Sequence, residues 1–213
     1  MNKELINKIG KFKIYLVDGD YVKLEHSADF TNFGQHYRFS FIPKNEFWID
    51  QTVKEEEIPF FIDHILVEHK LMKNGLDYDK ALKYADKVEK KERKKSEIYI
   101  SAQEKNVSDS DKKVNAHLWK EWADTGVSVY LVDAELVRDF FDVDFVEGGH
   151  DKVYNYIPEN QIWIDIQLPR KDRVFVLVHE SFERNLMSKG MEYNKAHIKA
   201  NREEYKFRHE DAL

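Results

Sequence analysis

The chain has 213 residues, enough for one sizeable core or two modest ones, and its 42% hydrophobic and 14% aromatic content rules out a disordered polymer. A net charge of −6 argues against binding to a phosphate backbone, and the absence of cysteine removes disulfides, thiolate zinc sites and thiol nucleophiles. The basic run Lys87–Lys95 is interleaved with glutamate and reads as the solvated end of a helix, so no nucleic-acid partner is expected.

In chain order, the first stretch, MNKELINKIGKFK, lacks the apolar core of a signal peptide, and no apolar run approaches the ~20 residues that span a bilayer. A cytoplasmic location without membrane partners is the default. A short amphipathic helix is expected over Asn2–Ile9, then a buried strand over Lys13–Val17 and, after a less regular section, a hairpin. The hairpin arms would be Tyr37–Ile42 and Glu46–Asp50, turned by Pro43, Lys44 and Asn45. A long helix follows from Pro59 to Met72, stopped at Gly75, and a charged helix runs from Tyr78 to Arg93.

The whole order then repeats. IYLVDG returns as VYLVDA, FIPKNEFWID as YIPENQIWID, and LMKNGLDYDKA as LMSKGMEYNKA. Asp50 and Asp165, His64 and His179, and Gly75 and Gly190 all stand 115 residues apart. A tandem duplication follows, with a first repeat over 1–93, a polar linker over 94–115 and a second repeat over 116–213. Glu97–Ser101 within the linker could add a small strand, and His117–Ala123 should repeat the lead helix. Each unit reads as α+β, a small antiparallel sheet on a helical hairpin, and the two units are expected to form a pseudo-twofold pair, a dimer within one chain. Trp48 and Trp163 belong to the cores.

The chemistry gathers in Val174–Met187, VFVLVHESFERNLM. His179 and Glu183, four apart on a helix, share one face, the spacing that presents two ligands to one metal ion. Glu180 would lie beside the open coordination position and could take a proton from a water there. The segment VFVLVHESFE resembles the active-site helix of the zincin-type metallopeptidases, in which an apolar half-helix runs into His-Glu-x-x-His. It departs from them at Glu183, which stands where those enzymes place a second histidine. The resemblance implies a divalent metal, zinc first, and hydrolysis of a peptide or amide bond; the carboxylate also admits other divalent ions.

A further ligand must come from elsewhere, and His197, Glu204 and His150 are the candidates. His197 and Glu204 lie on the following helix, and His150 follows two glycines in what reads as a loop. The first repeat carries Gln35, Ile65 and Leu82 where the second has His150, Glu180 and His197, so metal chemistry is assigned to the second repeat and the first is its degenerate copy. His36, His64, Glu68 and His69 could still form a separate site in the first repeat.

Residues common to both copies admit a structural reading. Glu183 could pair with Arg208, and His179 with Asp165, to hold the fold. Two functions therefore stand side by side: a metal-dependent hydrolase, and a non-enzymatic binding or assembly module that presents two related surfaces to a protein or peptide partner. A phosphate-ester hydrolase holding Mg²⁺ or Mn²⁺ on carboxylates is a third.

Overall fold

The repeated strand Phe12–Val17 (β2) is rich in β-branched and aromatic residues, and its partner Glu46–Asp50 (β4) lies parallel to it, with Ile14 opposite Phe47 and Leu16 opposite Ile49. This computed structural model describes residues 2–104, 113–120 and 126–210. It divides into two compact units, Met1–Ile100 and Ser101–Leu213.

In the first unit, Lys3–Ile9 (β1) pairs antiparallel with β2, and Phe33–Gln35 (β3) pairs antiparallel with β4, so the sheet order is β1-β2-β4-β3. The parallel β2–β4 pair makes the sheet mixed. Parallel neighbours need a crossover, and here it carries a short helix, Gly19–Glu25 (α1), capped by Asp18. The long helices Ile58–Lys73 (α2) and Tyr78–Arg93 (α3) form the helical hairpin, followed by Glu97–Glu104 (α4).

The second unit repeats this order. His117–Leu118 (β5), Ser128–Val132 (β6), Gly148–His150 (β7) and Gln161–Asp165 (β8) form a sheet of order β5-β6-β8-β7, with β6 and β8 parallel. Ala134–Phe140 (α5) lies in the crossover, and Arg170–Ser188 (α6) and Tyr193–Glu210 (α7) make the hairpin.

Alternation along the strands builds the cores. Phe47 and Ile49 face α2 with Ile14, Ile62 and Ile65, while Trp48 faces the other side with Val17, Val22, Phe30 and Ile42. In the second unit Ile162 and Ile164 pack with Val129 and Leu177, and Trp163 packs opposite with Val132, Val137 and Phe145. Gly75 and Gly190 adopt positive φ after the long helices, and Leu76 and Met191 donate back to the carbonyls of Leu71 and Leu186, closing Schellman turns.

Four local expectations are corrected. Lys3–Ile9 and His117–Leu118 are strands rather than helices, because the apolar residues of Asn2–Ile9 serve a sheet edge: Ile6 and Ile9 lie against the core while their neighbours face solvent. Residues 121–125, the rest of the second expected lead helix, lie outside the described residues. The hairpin is absent, because Tyr37–Ile42 folds as turns and β4 takes β3 as its antiparallel partner instead. Glu97–Ser101 is helical within α4. Residues 105–112 of the expected linker lie outside the described residues.

The constant 115-residue spacing also stops at β2. Leu16 pairs with Glu4, whereas its counterpart Leu131 pairs with His117, so the lead strands are offset by two residues.

Candidate metal centre

Helix α6 supplies His179, Glu180 and Glu183, and α7, folded back after Gly190, supplies His197 and Glu204. Strand β7, not a loop, supplies His150, which is fully buried. The Glu183 carboxylate is the meeting point. Its Oε1 accepts a hydrogen bond from His150 Nε2 at 3.0 Å, and its Oε2 accepts one from His197 Nδ1 at 2.8 Å. His179 Nε2 lies 3.6 Å from the same Oε2, too far for a hydrogen bond.

The tautomers follow from the other ring nitrogens. His150 Nδ1 accepts the backbone N–H of Lys152 at 3.1 Å, which leaves the proton on Nε2, pointing at Glu183. His179 Nδ1 donates to Glu204 Oε2 at 3.1 Å, and Glu204 Oε1 accepts from Arg208 Nε at 2.8 Å. Arg208 reaches on to Asp172 at 3.3 Å. His179 is thus backed by a carboxylate on one nitrogen and faces Glu183 with the other, the arrangement common behind metal-bound imidazoles.

Burial resists ionisation of Glu183, but His150, His179 and His197 outweigh it and hold the carboxyl well below its ordinary range. Burial likewise opposes protonation of His179, yet Glu183, Glu204 and Glu180 push its pKa up to about 10. Glu180 is half-buried, and withdrawal of its carboxyl from water raises its pKa, with Glu183 adding to the effect and the histidines opposing it.

Two trios of potential ligands, His179–Glu183–His197 and His150–Glu180–Glu183, have donor atoms within 4.8 Å of one another. The first trio suits a divalent ion. Tetrahedral bonds of about 2.0–2.1 Å set donors about 3.3 Å apart, close to the 3.6 Å between His179 Nε2 and Glu183 Oε2. In the second trio the Lys152 N–H fixes the His150 proton on the nitrogen that would ligate, whereas in the first the His197 Nδ1 proton, shared with Glu183, would have to be released when an ion binds. Glu204 belongs to neither trio and holds His179 from behind.

The first unit shows the same scaffold without the extra donors. His64 Nδ1 donates to Glu89 at 2.7 Å, Arg93 joins Glu89 to Glu57, and His64 Nε2 lies 3.7 Å from Glu68. Gln35 does the work of His150: its Nε2 donates to Glu68 Oε1 at 2.7 Å and its Oε1 accepts the Tyr37 N–H at 2.7 Å. Among the described residues, no trio of metal-ligating side chains forms in this unit. His36 bonds the Ile42 carbonyl, and His69 packs against Phe12, Tyr37 and Phe47.

The structural pairings expected for the common residues are corrected. Arg208 binds Glu204 and Asp172 rather than Glu183, and Asp165 accepts the Gln167 N–H rather than a proton from His179. Helix α7 runs antiparallel to α6, so Arg208 at its far end meets the first turn of α6 and not the Glu183 level.

The two glycines before His150 carry no packing role in the sequence reading, and Gly148 has one. A Cβ there would come within 2.7 Å of Val176 and 3.3 Å of Glu180, so only glycine lets β7 approach α6 this closely. Its counterpart Phe33 fills the corresponding space in the first unit, its ring tilted against Phe61 and His64. Arg184 was also passed over. It binds Asp151 through both carboxylate oxygens, at 2.5 and 3.1 Å, which ties the chain just after His150 to α6. Reading the two repeats against each other at 115 residues would have exposed the Phe33–Gly148 exchange.

No protein-family model matches the chain, and no curated protein or solved structure shows significant similarity to it, so the zincin likeness rests on one helix and its assembled His and Glu side chains.

Proposed function

We propose that the second unit is a divalent-metal-dependent hydrolase centre in which His179, Glu183 and His197 hold the ion, with zinc the first choice. The carrying observation is the convergence of these three side chains at Glu183 Oε2, which among the described residues has no equivalent in the first unit. His150 occupies Oε1 and so turns Oε2 toward the ion position, while Glu204, Arg208 and Asp172 fix the His179 ring.

The ion, when bound, would supply Lewis-acid polarisation of water and of the substrate's acyl oxygen. Glu180 would accept the proton of the attacking water at its carboxylate and pass it to the leaving group; a carboxyl raised by burial is suited to both halves of that task. By likeness to the zincin helix, the bond cleaved is a peptide or amide bond.

Metal content is the decisive measurement. Protein prepared without a histidine tag should carry about one equivalent of zinc or manganese, and His179→Ala should carry none. Glu180→Gln should keep the ion and lose about 10²–10⁴-fold in turnover in a peptide screen. Metal-free wild-type protein, even after zinc addition, would end this reading.

The rival, a non-enzymatic binding or assembly module, is favoured by one observation. The His64–Glu89–Arg93–Glu57 chain links the helices of the first unit with no metal trio beside it among the described residues, so a buried His–Glu–Arg network has structural use alone. On that reading the protein keeps its fold in chelator and Glu180→Gln changes nothing.

A further inference from the structure

The two units differ at a second place, away from the metal centre. In the first unit a groove of about 610 Å³ opens between β1 and α2. Its floor is apolar, formed by Ile6, Leu16, Ile58 and Ile62, and its rim carries Glu4, Glu55 and Asp63, all exposed. No lysine, arginine or histidine is among the residues that line it.

The second unit shows what fits there. By sheet register Glu4 corresponds to His117 and Leu5 to Leu118; a bulge at Ile6 then breaks the register in the first unit, while Trp119 continues it opposite Val129. Both residues pack on equivalent clusters, Ile6 on the one that holds Ile14, Phe47, Ile49 and Ile62, and Trp119 on the one that holds Val129, Ile162, Ile164 and Leu177. A large indole lies on this cluster in one unit and a smaller isoleucine in the other.

We infer that the groove of the first unit is a docking site for a peptide segment of a partner protein that presents an aromatic side chain between basic residues. The aromatic ring takes the place that Trp119 fills in the sister unit, and the basic neighbours meet Glu4, Glu55 and Asp63. This site is independent of the metal-centre proposal and survives its failure.

The test is a titration of the whole chain, carrying labelled isoleucine methyls, with N-acetyl-Lys-Trp-Lys-amide, followed by NMR. Saturable shifts at Ile6, Ile58 and Ile62 are expected, weakened by salt. Lys-Ala-Lys and Glu-Trp-Glu peptides should each bind at least about tenfold more weakly, since burial of the ring and the charge match each contribute at that level. Ile6→Trp should fill the groove and abolish the shifts at Ile58 and Ile62. Glu55→Lys combined with Asp63→Lys, both on the surface, should reverse the preference toward Glu-Trp-Glu and keeps the test valid if Ile6→Trp misfolds. Equal binding of the control peptides, unchanged binding by either variant, or methyl shifts that track protein concentration without peptide (a second copy in the groove) would each overturn the proposal.

Discussion

Glu183 shows how much one carboxylate can be made to do. Its two oxygens are divided between a fixed donor, His150, and an open face toward His179 and His197. Gln35 holds the equivalent Glu68 in the same way, so His150→Gln should retain both fold and metal. His150→Leu leaves Oε1 without its donor, and should lower unfolding stability by about 1–3 kcal/mol and weaken metal affinity by about 10–100-fold, read by urea titration and a competition assay. Equal metal loss in the Gln and Leu variants would instead make His150 a direct ligand. His64 carries a prediction about pH. Burial works against its proton, but Glu68 and Glu89 raise its pKa from 6.5 to about 10. The stability it contributes is therefore complete below about pH 6.5 and is lost as pH rises through about 10. The urea midpoint should fall over that window, and His64→Gln should flatten the fall; an unchanged slope would show that the ring is neutral in the folded chain.

Between elements, the spacing of β7 from α6 decides whether the His and Glu donors can gather. Phe33, Phe61 and Ile65 form an apolar plug in the first unit, and Gly148, Val176 and Glu180 replace it in the second. Gly148→Ala puts a methyl against Val176 and the Glu180 stem, and pushes β7 and its histidine outward. A loss of about 1–3 kcal/mol is expected, typical of overpacking, together with a lower metal equivalence in elemental analysis. Retained metal and stability would mean that the strand relaxes without moving His150. The lead strand teaches the limit of periodicity at this scale. Asn2–Ile9 has apolar residues compatible with either a helix or an edge strand, and pairing with β2 across the two-residue Gly10–Lys11 turn, where Gly10 takes positive φ, settles it.

At the scale of the whole molecule, the two units share one fold and differ in the side chains gathered between sheet and helical hairpin. Zinc should stabilise only the second. At a free concentration a hundredfold above Kd, the gain is about 2.7 kcal/mol. Hydrogen exchange should therefore slow in Arg170–Ser188 and Tyr193–Glu210 on adding zinc, while Ile58–Lys73 and Tyr78–Arg93 exchange as before. Slowing in both units would assign metal to His64 and Glu68 as well, and slowing in neither would remove the metal centre. Among the described residues no helix is long and apolar enough to cross a membrane.

The duplication, the α+β character of each unit, the long helices with their glycine stops and the burial of Trp48 and Trp163 were all legible in the sequence, because each rests on local pattern or on comparison of one repeat with the other. Even the cluster of differences at Gln35/His150, Ile65/Glu180 and Leu82/His197 could be read without coordinates. The parallel pairing of β2 with β4 and the placing of His150 on β7 could not, since they depend on partners further along the chain, whereas the strand identity of Lys3–Ile9 hung on the local Gly10–Lys11 turn. The roles within the site were also decided by tertiary structure. Sequence offered Glu204 and His150 as equals of His197, whereas packing sets Glu204 behind the His179 ring and gives the His150 proton to Glu183. A residue's identity determines what it can donate or accept; only its neighbours in space determine which of those bonds is already made.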